Sequence, residues 1–328
     1  MGVILVTGAT GRLGKFLVST LLHRKEKIRA VIRPESKSAL PYDVEPFKWD
    51  LSGGPLPSYA FEKVTHVIHL AGLVGAHPYN DLIKQNAYST KNLLKNCPSS
   101  VQKIALASSI SIYGEYKGQM VDENFKPKTE SPYGKSKLLS EEFAKEFCPR
   151  LPVVFLRFGM IYGQGFEEGY FAVFDYLKRG KLSILGDGKN RLPFLHAVDA
   201  VQAILLSLES NAQSGRTYNI VGGEQMTQEE VIRIAAESLA VSPPKSHIPI
   251  IIARLAMGAQ SLLSYAGISK KPRLDEENIR QMTLDRAYST ARASSELGFS
   301  ARVKLRAGIN EMAHFYEASL LQAETKGE

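Results

Sequence analysis

Cysteine is almost absent: the 328 residues hold two, Cys97 and Cys148, each followed by proline. Two thiols cannot build a secreted-type disulfide framework or a cysteine-rich zinc site, which points to a reducing, cytoplasmic setting. Neither a His-x3-His pair nor a carboxylate cluster at ligand spacing occurs, so no metal is expected. Long apolar runs are missing too. The longest tract, Ile248 to Leu263, is interrupted by Pro249, Arg254 and Gln260, too broken to span a bilayer. The start does not read as a signal peptide, because Met1 to Val6 runs into a Gly-rich turn without a basic region before it. Lys and Arg outnumber Asp and Glu by 41 to 33, a net charge of +8, but the cations are dispersed. A nucleic-acid binder would gather them in a stripe. The excess suits an anionic small molecule. Hydrophobic residues at 44% and charged residues at 23% are ordinary globular values and exclude a disordered chain.

What is present is an alternation. Val3-Ile4-Leu5-Val6 is a continuous apolar run, the pattern of a parallel strand buried on both faces. Leu13, Phe16, Leu17, Leu21 and Leu22 then recur at helical spacing. Strands are expected at Ile28 to Ile32, Val64 to Leu70, Ile104 to Ala107 and Val153 to Phe158. Helices are expected at Asn86 to Asn96 and Ser136 to Phe147. This β/α alternation predicts a Rossmann-type α/β fold, a doubly wound parallel sheet with its ligand site at the carboxyl ends of the strands. After about Gly163, glycines 165, 169, 180, 186 and 188 loosen the texture. A helix at Ala197 to Leu208, a strand at Tyr218 to Val221 and a capped helix from Thr227 follow, with Glu230 completing the capping pattern. Further helices are read near 250–266 and 305–320. Residues 1–165 are thus expected to form the dinucleotide-binding domain, rejoined by 194–222. Residues 166–193 and 223–328 make a smaller, mixed α/β substrate region.

Thr7-Gly8-Ala9-Thr10-Gly11-Arg12-Leu13-Gly14 lies between the first strand and the first helix. Glycines there let the backbone turn tightly and approach a pyrophosphate, which the helix N-terminus then holds. Strand before and helix after is the context that gives such a motif weight. An NAD-binding chain usually ends its second strand on Asp or Glu, to hold the ribose 2′-hydroxyl. Here that place holds Arg33, and Arg12 lies in the loop itself. Two guanidiniums suit a 2′-phosphate, so NADP(H) is favoured, with NAD(H) the alternative.

Tyr133-Gly-Lys-Ser-Lys137 opens a helix, with Ser131 a candidate N-cap and Pro132 in its first turn. Tyr133 and Lys137 share a face. A nearby ammonium would lower the phenol pKa and make it a proton donor or acceptor near neutrality. Some 25 residues earlier, a strand ends in the hydroxyls Ser108 and Ser109. His69 and His196 read as packing or hydrogen-bonding residues rather than bases.

With these motifs in place, the sequence resembles the extended short-chain dehydrogenase/reductases, the family of nucleotide-sugar epimerases and dehydratases. The resemblance rests on Thr7 to Gly14, Asp50, Val67-Ile-His-Leu-Ala-Gly72, Asn86-Ala-Tyr-Ser-Thr90, Ser108 to Gly114 and Tyr133 to Lys137. Arg157-Phe-Gly-Met-Ile-Tyr162-Gly163, Phe194-Leu-His196-Ala-Val-Asp199, Tyr218-Asn219-Ile and Glu296-Leu-Gly-Phe299 complete it. It implies Tyr133 as acid/base, Lys137 as its tuner and ribose holder, and Ser109 as hydrogen-bond partner of the reacting oxygen. Asp50 and Leu51 would meet the adenine, and Leu70, Ala71, Gly72, Asn86 and Ser108 would line the cofactor. The family often dimerises through its helices near 86–96 and 136–147, so a homodimer is expected. Some relatives keep the fold as non-catalytic redox sensors, but those typically lose the Tyr or the Lys.

Two departures narrow the activity. Family 4,6-dehydratases usually carry Asp-Glu after the catalytic hydroxyl residue, and this chain has Ile110-Ser111. That leaves 4-epimerase, 4-ketoreductase or simple dehydrogenase. Sugar enzymes often place Asn near Gly159, which this chain lacks. A nucleotide-sugar diphosphate would call on Arg191 and Arg273, with Arg280 and Arg292 also available. Ile251, Ile252, Leu255, Leu262, Leu263 and Tyr265 could instead roof an apolar substrate, as in hydroxysteroid or dihydroflavonol enzymes. The nucleotide sugar is the favoured reading.

Overall fold

The computed structural model describes residues 2–265 and 276–325. Strand β1 (Val3–Thr7) is buried along its whole length. Its side chains alternate between two cores: Ile4 and Val6 face one, Val3 and Leu5 the other. That alternation follows from the two-residue period of a strand, and only a sheet covered on both faces buries every position. The other strands are β2 (Lys27–Ile32), β3 (Val44–Lys48), β4 (Val64–His69), β5 (Lys103–Ser109), β6 (Val153–Phe158) and β7 (Thr217–Ile220). They lie in the order β7-β6-β5-β4-β1-β2-β3, and every neighbouring pair is parallel. The order reverses between β1 and β4, which places the ligand crevice at their carboxyl ends.

Helix α1 (Arg12–His23) lays Leu17, Val18 and Leu21 on the core that also receives Ala200, Val201 and Ile204. The opposite core takes Leu93 and Leu94 of α2 (Ser89–Lys95) and Ala144 of α3 (Pro132–Lys145). The stretch read as one helix from Asn86 is two conformations: Ile83–Tyr88 is a π-helical turn, and the α-helix begins at Ser89. Helix α3 starts where its cap pattern places it: the Ser131 hydroxyl accepts from the Gly134 N–H at 3.0 Å and Pro132 fixes the first turn.

Beyond β6, α4 (Glu167–Lys178), α5 (Ala197–Glu209) and α6 (Gln228–Ser238) follow. Thr227 caps α6 reciprocally: its N–H donates to Glu230 Oε2 at 2.8 Å, and its hydroxyl accepts from the Glu230 N–H. Then come α7 (Ile250–Tyr265), α8 (Glu276–Thr283), α9 (Ala291–Leu297) and α10 (Leu305–Thr325). Phe174 and Leu177, Ile232 and Ala236, Ile309 and Met312 join in a third core. Three short parallel pairs follow, two within this part and the last tying it to the rest. Met160–Tyr162 pairs with Phe194–His196, Ile184–Leu185 with His247–Ile248, and Met120–Val121 with Ala287–Tyr288. The last pair draws the segment after α8 over the loop that leaves β5.

Candidate active site

The glycine turn after β1 is built for close approach. Gly8 has φ +72°, and a Cβ there would meet the Ala71 nitrogen at 2.7 Å. A Cβ on Gly14 would stand 2.0 Å from the Gly8 carbonyl, so α1 can lie on the turn only with glycine there. Gly11 is the N-cap of α1 without a side-chain cap, and the first turn holds no acidic residue. The first N–H groups of the helix therefore keep their donors and their positive dipole end for an anion. A dinucleotide pyrophosphate fits this cradle. Thr10 and Leu13 are half-buried in it, while Arg12 is exposed, its guanidinium 6.0 Å from the Phe166 ring centre. Arg33 follows the last residue of β2 and is exposed, with Glu35 Oε1 3.7 Å from its Nε.

The far wall of the crevice is the end of β4. The Thr7 hydroxyl accepts from the Ala71 N–H at 3.1 Å and bonds His69 Nδ1 at 2.7 Å. His69 Nε2 lies 3.0 Å from the Thr90 hydroxyl, and burial holds its pKa down to about 3. A neutral, doubly bonded imidazole is a strut between β1, β4 and α2. Leu70 packs against the core and Gly72 is exposed at the mouth.

Four residues read as cofactor contacts do other work with their side chains. Asn86 accepts from the Leu73 N–H at 2.7 Å and donates to the Leu73 carbonyl and the Ser136 hydroxyl, pinning the loop after β4 to α3. The Ser108 hydroxyl donates to Glu141 Oε1 at 2.6 Å. Leu51 is buried in the core beneath the sheet. Asp50 accepts from the Ser52 N–H and hydroxyl at 2.9 and 2.8 Å. A sequence motif gives position along the chain; the partner that consumes the side chain comes from elsewhere in the fold.

Ser109, Tyr133 and Lys137 come together where β5 ends and α3 begins. Ser109 is the last residue of β5, and its oxygen accepts from the Ser111 N–H at 3.1 Å. Its side chain lies close enough to the Tyr133 phenol to act on the phenol's pKa. Lys137, one turn beyond Tyr133, donates from Nζ to the Ala107 carbonyl at 2.6 Å. The expected lowering of the phenol pKa is not what the chain alone produces. Burial pushes Tyr133 up to about 12, against the lowering effect of Ser109, and the Glu277 carboxylate adds to the rise. Burial likewise holds Lys137 down to about 8, partly offset by Glu141. Desolvation outweighs the neighbours in both.

Behind the trio runs a buried network that the sequence reading missed. Arg157 grips Glu141 with two bonds, Nε to Oε1 at 2.9 Å and Nη2 to Oε2 at 2.7 Å. Its Nη1 donates to the Tyr113 hydroxyl at 2.6 Å, which donates on to Asn219 Oδ1 at 2.8 Å. The network ties β5, β6, β7 and α3 under the reacting groups. One signal was available: positions 133, 137 and 141 are successive i, i+4 places on one helix face.

On the substrate side, Arg191 is already engaged. Its Nε and Nη2 bond both oxygens of Asp285 at 2.9 and 2.8 Å, so it braces the chain there and is not a ready phosphate ligand. Arg292 lies by Glu123 and bonds Asn124. Arg273 lies outside the described residues, and of Leu262, Leu263 and Tyr265 no side chain is described. Ile251, Ile252 and Leu255 are exposed. What faces Ser111 instead is α8. Gln281 Nε2 reaches the Ser111 hydroxyl at 3.4 Å and donates to Glu277 Oε1 at 2.8 Å, while Gln281 Oε1 accepts from Arg286 Nη1 at 2.6 Å. His196 caps α5, accepting from the Val198 N–H at 3.3 Å. Among the described residues, no group of three or more His, Cys, Asp or Glu could hold a metal ion.

Residues 4–221 match the profile of the NAD dependent epimerase/dehydratase family. The chain belongs to that family. As a family member it is an enzyme of the extended short-chain dehydrogenase/reductase kind, and its seven-stranded parallel sheet is the family's Rossmann-like fold. The family relative "Uncharacterized UDP-glucose epimerase YtcB" of Bacillus subtilis (strain 168) is 31% identical over 258 residues, 70% of this chain and 80% of that protein. A "3 beta-hydroxysteroid dehydrogenase/Delta 5-->4-isomerase" of Mycobacterium tuberculosis is 22% identical over 96% of this chain and 90% of its own length. The solved structure "MoeE5 in complex with UDP-glucuronic acid and NAD" superposes with TM-score 0.76 at 27% identity, covering 97% of this chain and all of that one.

Proposed function

We propose that this enzyme transfers hydride at a secondary alcohol or ketone carbon of a nucleotide sugar, as a 4-epimerase or 4-ketoreductase. The observation that carries the reaction type is the meeting of Ser109, at the carboxyl end of β5, with Tyr133 and Lys137 on the first turns of α3. A bound nicotinamide ring would supply the hydride acceptor or donor. Ser109 and Tyr133 hold the substrate oxygen, and Tyr133 carries its proton as the carbon changes oxidation state. Lys137, freed from the Ala107 carbonyl, holds the cofactor ribose and favours the phenolate. Ile110 and Ser111 offer no strong acid for eliminating water, so 4,6-dehydration is not proposed. Residues 1–165 with 194–222 are read as the cofactor-binding part, and the remainder as the substrate part. Small molecules are its partners, apart from a second copy of itself, and the cytoplasm is its expected setting.

NADP(H) is preferred in this reading because Arg33 stands at the end of β2 and Arg12 at the start of α1. Arg33→Ala is expected to weaken NADPH binding about tenfold and leave NADH binding unchanged. An equal loss for both dinucleotides would remove the preference.

The sugar class is supported by the YtcB relative and by the likeness to MoeE5, whose structure holds UDP-glucuronic acid. The deciding experiment pairs native mass spectrometry of the purified protein with incubation in UDP-glucose and UDP-glucuronic acid. Retained NAD(H) and a 4-epimer by NMR would identify an epimerase. Reversible NADPH uptake and consumption with a 4-keto sugar would identify a reductase. The 3 beta-hydroxysteroid relative and the occupied Arg191 favour a second reading, a dehydrogenase or reductase of hydroxysteroid or dihydroflavonol type. Turnover of a 3β-hydroxysteroid, with none of the UDP-sugars, would establish that reading in place of the first.

A further inference from the structure

Helix α8 is held firmly where it meets the reacting groups. Asn190 and Gln228 both donate to the Met282 carbonyl near its end, at 2.7 and 2.6 Å, and Ile279 is buried. Glu277 and Gln281, one turn apart, share a face of the helix. Glu277 is 9% exposed and Arg286 4%, and the Gln281 amide sorts these two buried charges. Its Nε2 donates to Glu277 Oε1 at 2.8 Å and reaches the Ser111 hydroxyl at 3.4 Å, while its Oε1 accepts from Arg286 Nη1 at 2.6 Å. Arg286 Nη2 donates to the Gln281 carbonyl and lies 3.3 Å from Met160 Sδ. The carboxylate is thus on the Ser111 side of the amide and the guanidinium on the Met160 side. Ser111 in turn gives its N–H to the Ser109 oxygen at 3.1 Å. Glu277 therefore stands beside the groups at the end of β5, and after burial its charge is what raises the Tyr133 phenol.

A carboxylate kept out of water accepts hydroxyl hydrogen bonds strongly, and it repels a second carboxylate more than it would in solvent. Gln281 answers it with a neutral amide, so its charge stays in force toward the site. We propose that Glu277 selects the substituent next to the reacting carbon: it accepts a hydrogen bond from a hydroxyl there and turns away a carboxylate. In the proposed reaction Ser109 and Tyr133 hold the reacting oxygen, so Glu277 meets the group one carbon away. Arg286 does not offer a carboxylate its counter-charge, because Gln281 stands between it and Ser111. The inference rests on the nucleotide-sugar reading and narrows it. The enzyme takes a neutral hexose, with a hydroxymethyl group on the carbon beside C4, in preference to a uronic acid with a carboxylate there.

The test is titration calorimetry of the holoprotein, loaded with reduced dinucleotide so that no hydride can leave the sugar. The two ligands are UDP-glucose and UDP-glucuronic acid, which differ only in that group. Wild type is expected to bind UDP-glucose at least about tenfold tighter. Glu277→Gln keeps the shape and an acceptor for Gln281. It should narrow the ratio about tenfold, chiefly by improving UDP-glucuronic acid, with melting temperature kept. Glu277→Ala, read the same way, takes its place if that variant does not fold. A structural role for Glu277 would weaken both sugars alike, and that result overturns the proposal. Equal affinities in wild type, or a ratio that the variant leaves unchanged, overturn it too while the nucleotide-sugar reading stands. Binding of neither sugar would overturn that reading, and this inference with it.

Discussion

Tyr133 and Lys137 are both buried, and burial works against the charged form of each. The phenol is expected to ionise only when the bound cofactor and substrate change its surroundings, which makes it a proton carrier that is idle between turnovers. Tyr133→Phe is therefore expected to cut turnover by about 10²–10⁴-fold with dinucleotide affinity and melting temperature kept. Stopped-flow or steady-state absorbance of the nicotinamide would read it. Unchanged turnover would show that Tyr133 is not the proton carrier. Lys137 gives a prediction with a sign. Its folded pKa, about 8, lies below the ordinary 10.5, so between those values the unfolded chain binds more protons and stability rises with pH. Below about 8 the buried ammonium costs up to about 3 kcal/mol. Lys137→Met should gain stability over wild type near neutrality, and the gain should shrink as pH rises from 8 toward 10.5. Urea unfolding at several pH values checks it, and a constant difference would show that the ammonium is not strained by burial. At this scale the sequence revealed Ser109, Tyr133 and Lys137, because their spacing along one helix and at one strand end is local. The pairing of Arg191 was not legible because its partner, Asp285, lies 94 residues further on.

Strands and helices were legible where burial repeats with a short period. The run at Val3 is apolar, and that at Val153 is apolar but for Arg157, whose charge Glu141 takes up, because both faces of the sheet are covered; β6 begins and ends where the pattern places it. β3 was not legible: it is an edge strand, Val-Glu-Pro-Phe-Lys, whose proline and charges are tolerated only because one side of it is unpaired. α4 was hidden by the glycines around it, and the π turn at Ile83–Tyr88 has no pattern distinct from an α-helix. The best test at this scale is the contact between β1, its turn and α1. Gly14→Ala places a methyl 2.0 Å from the Gly8 carbonyl, and backbone cannot rotate away as a side chain can. The helix must lift, and the N–H groups aimed at the pyrophosphate move with it. We expect dinucleotide affinity at least about tenfold weaker, by titration calorimetry, with a fall of about 1–3 kcal/mol in unfolding free energy. Wild-type affinity in this variant would show that the cradle tolerates a displaced helix.

For the whole molecule, α2 and α3 present their outer face side by side. Tyr88 at the end of the π turn is 48% exposed and lies 5.6 Å, ring to ring, from the half-buried Phe143 of α3. The Lys91 ammonium covers the same Phe143 ring at 4.5 Å. An exposed Tyr packed on a half-buried Phe suits an interface centre, where aromatic residues are enriched and can be dried by a partner. Two copies meeting here would bring four helices into a bundle related by a two-fold axis, so that each Tyr88 packs on the partner's α3. Resemblance to the family points to the same helices. The expected mass in solution is therefore twice 36.2 kDa. Tyr88→Glu puts two like charges at the symmetric centre and should convert the dimer to monomer at micromolar concentration, read by light scattering after gel filtration. Because Tyr88 belongs to neither the glycine turn nor the Ser109, Tyr133 and Lys137 site, the monomer should keep its dinucleotide affinity. A wild-type monomer at the same concentration would remove the interface and leave the aromatic pair as surface packing.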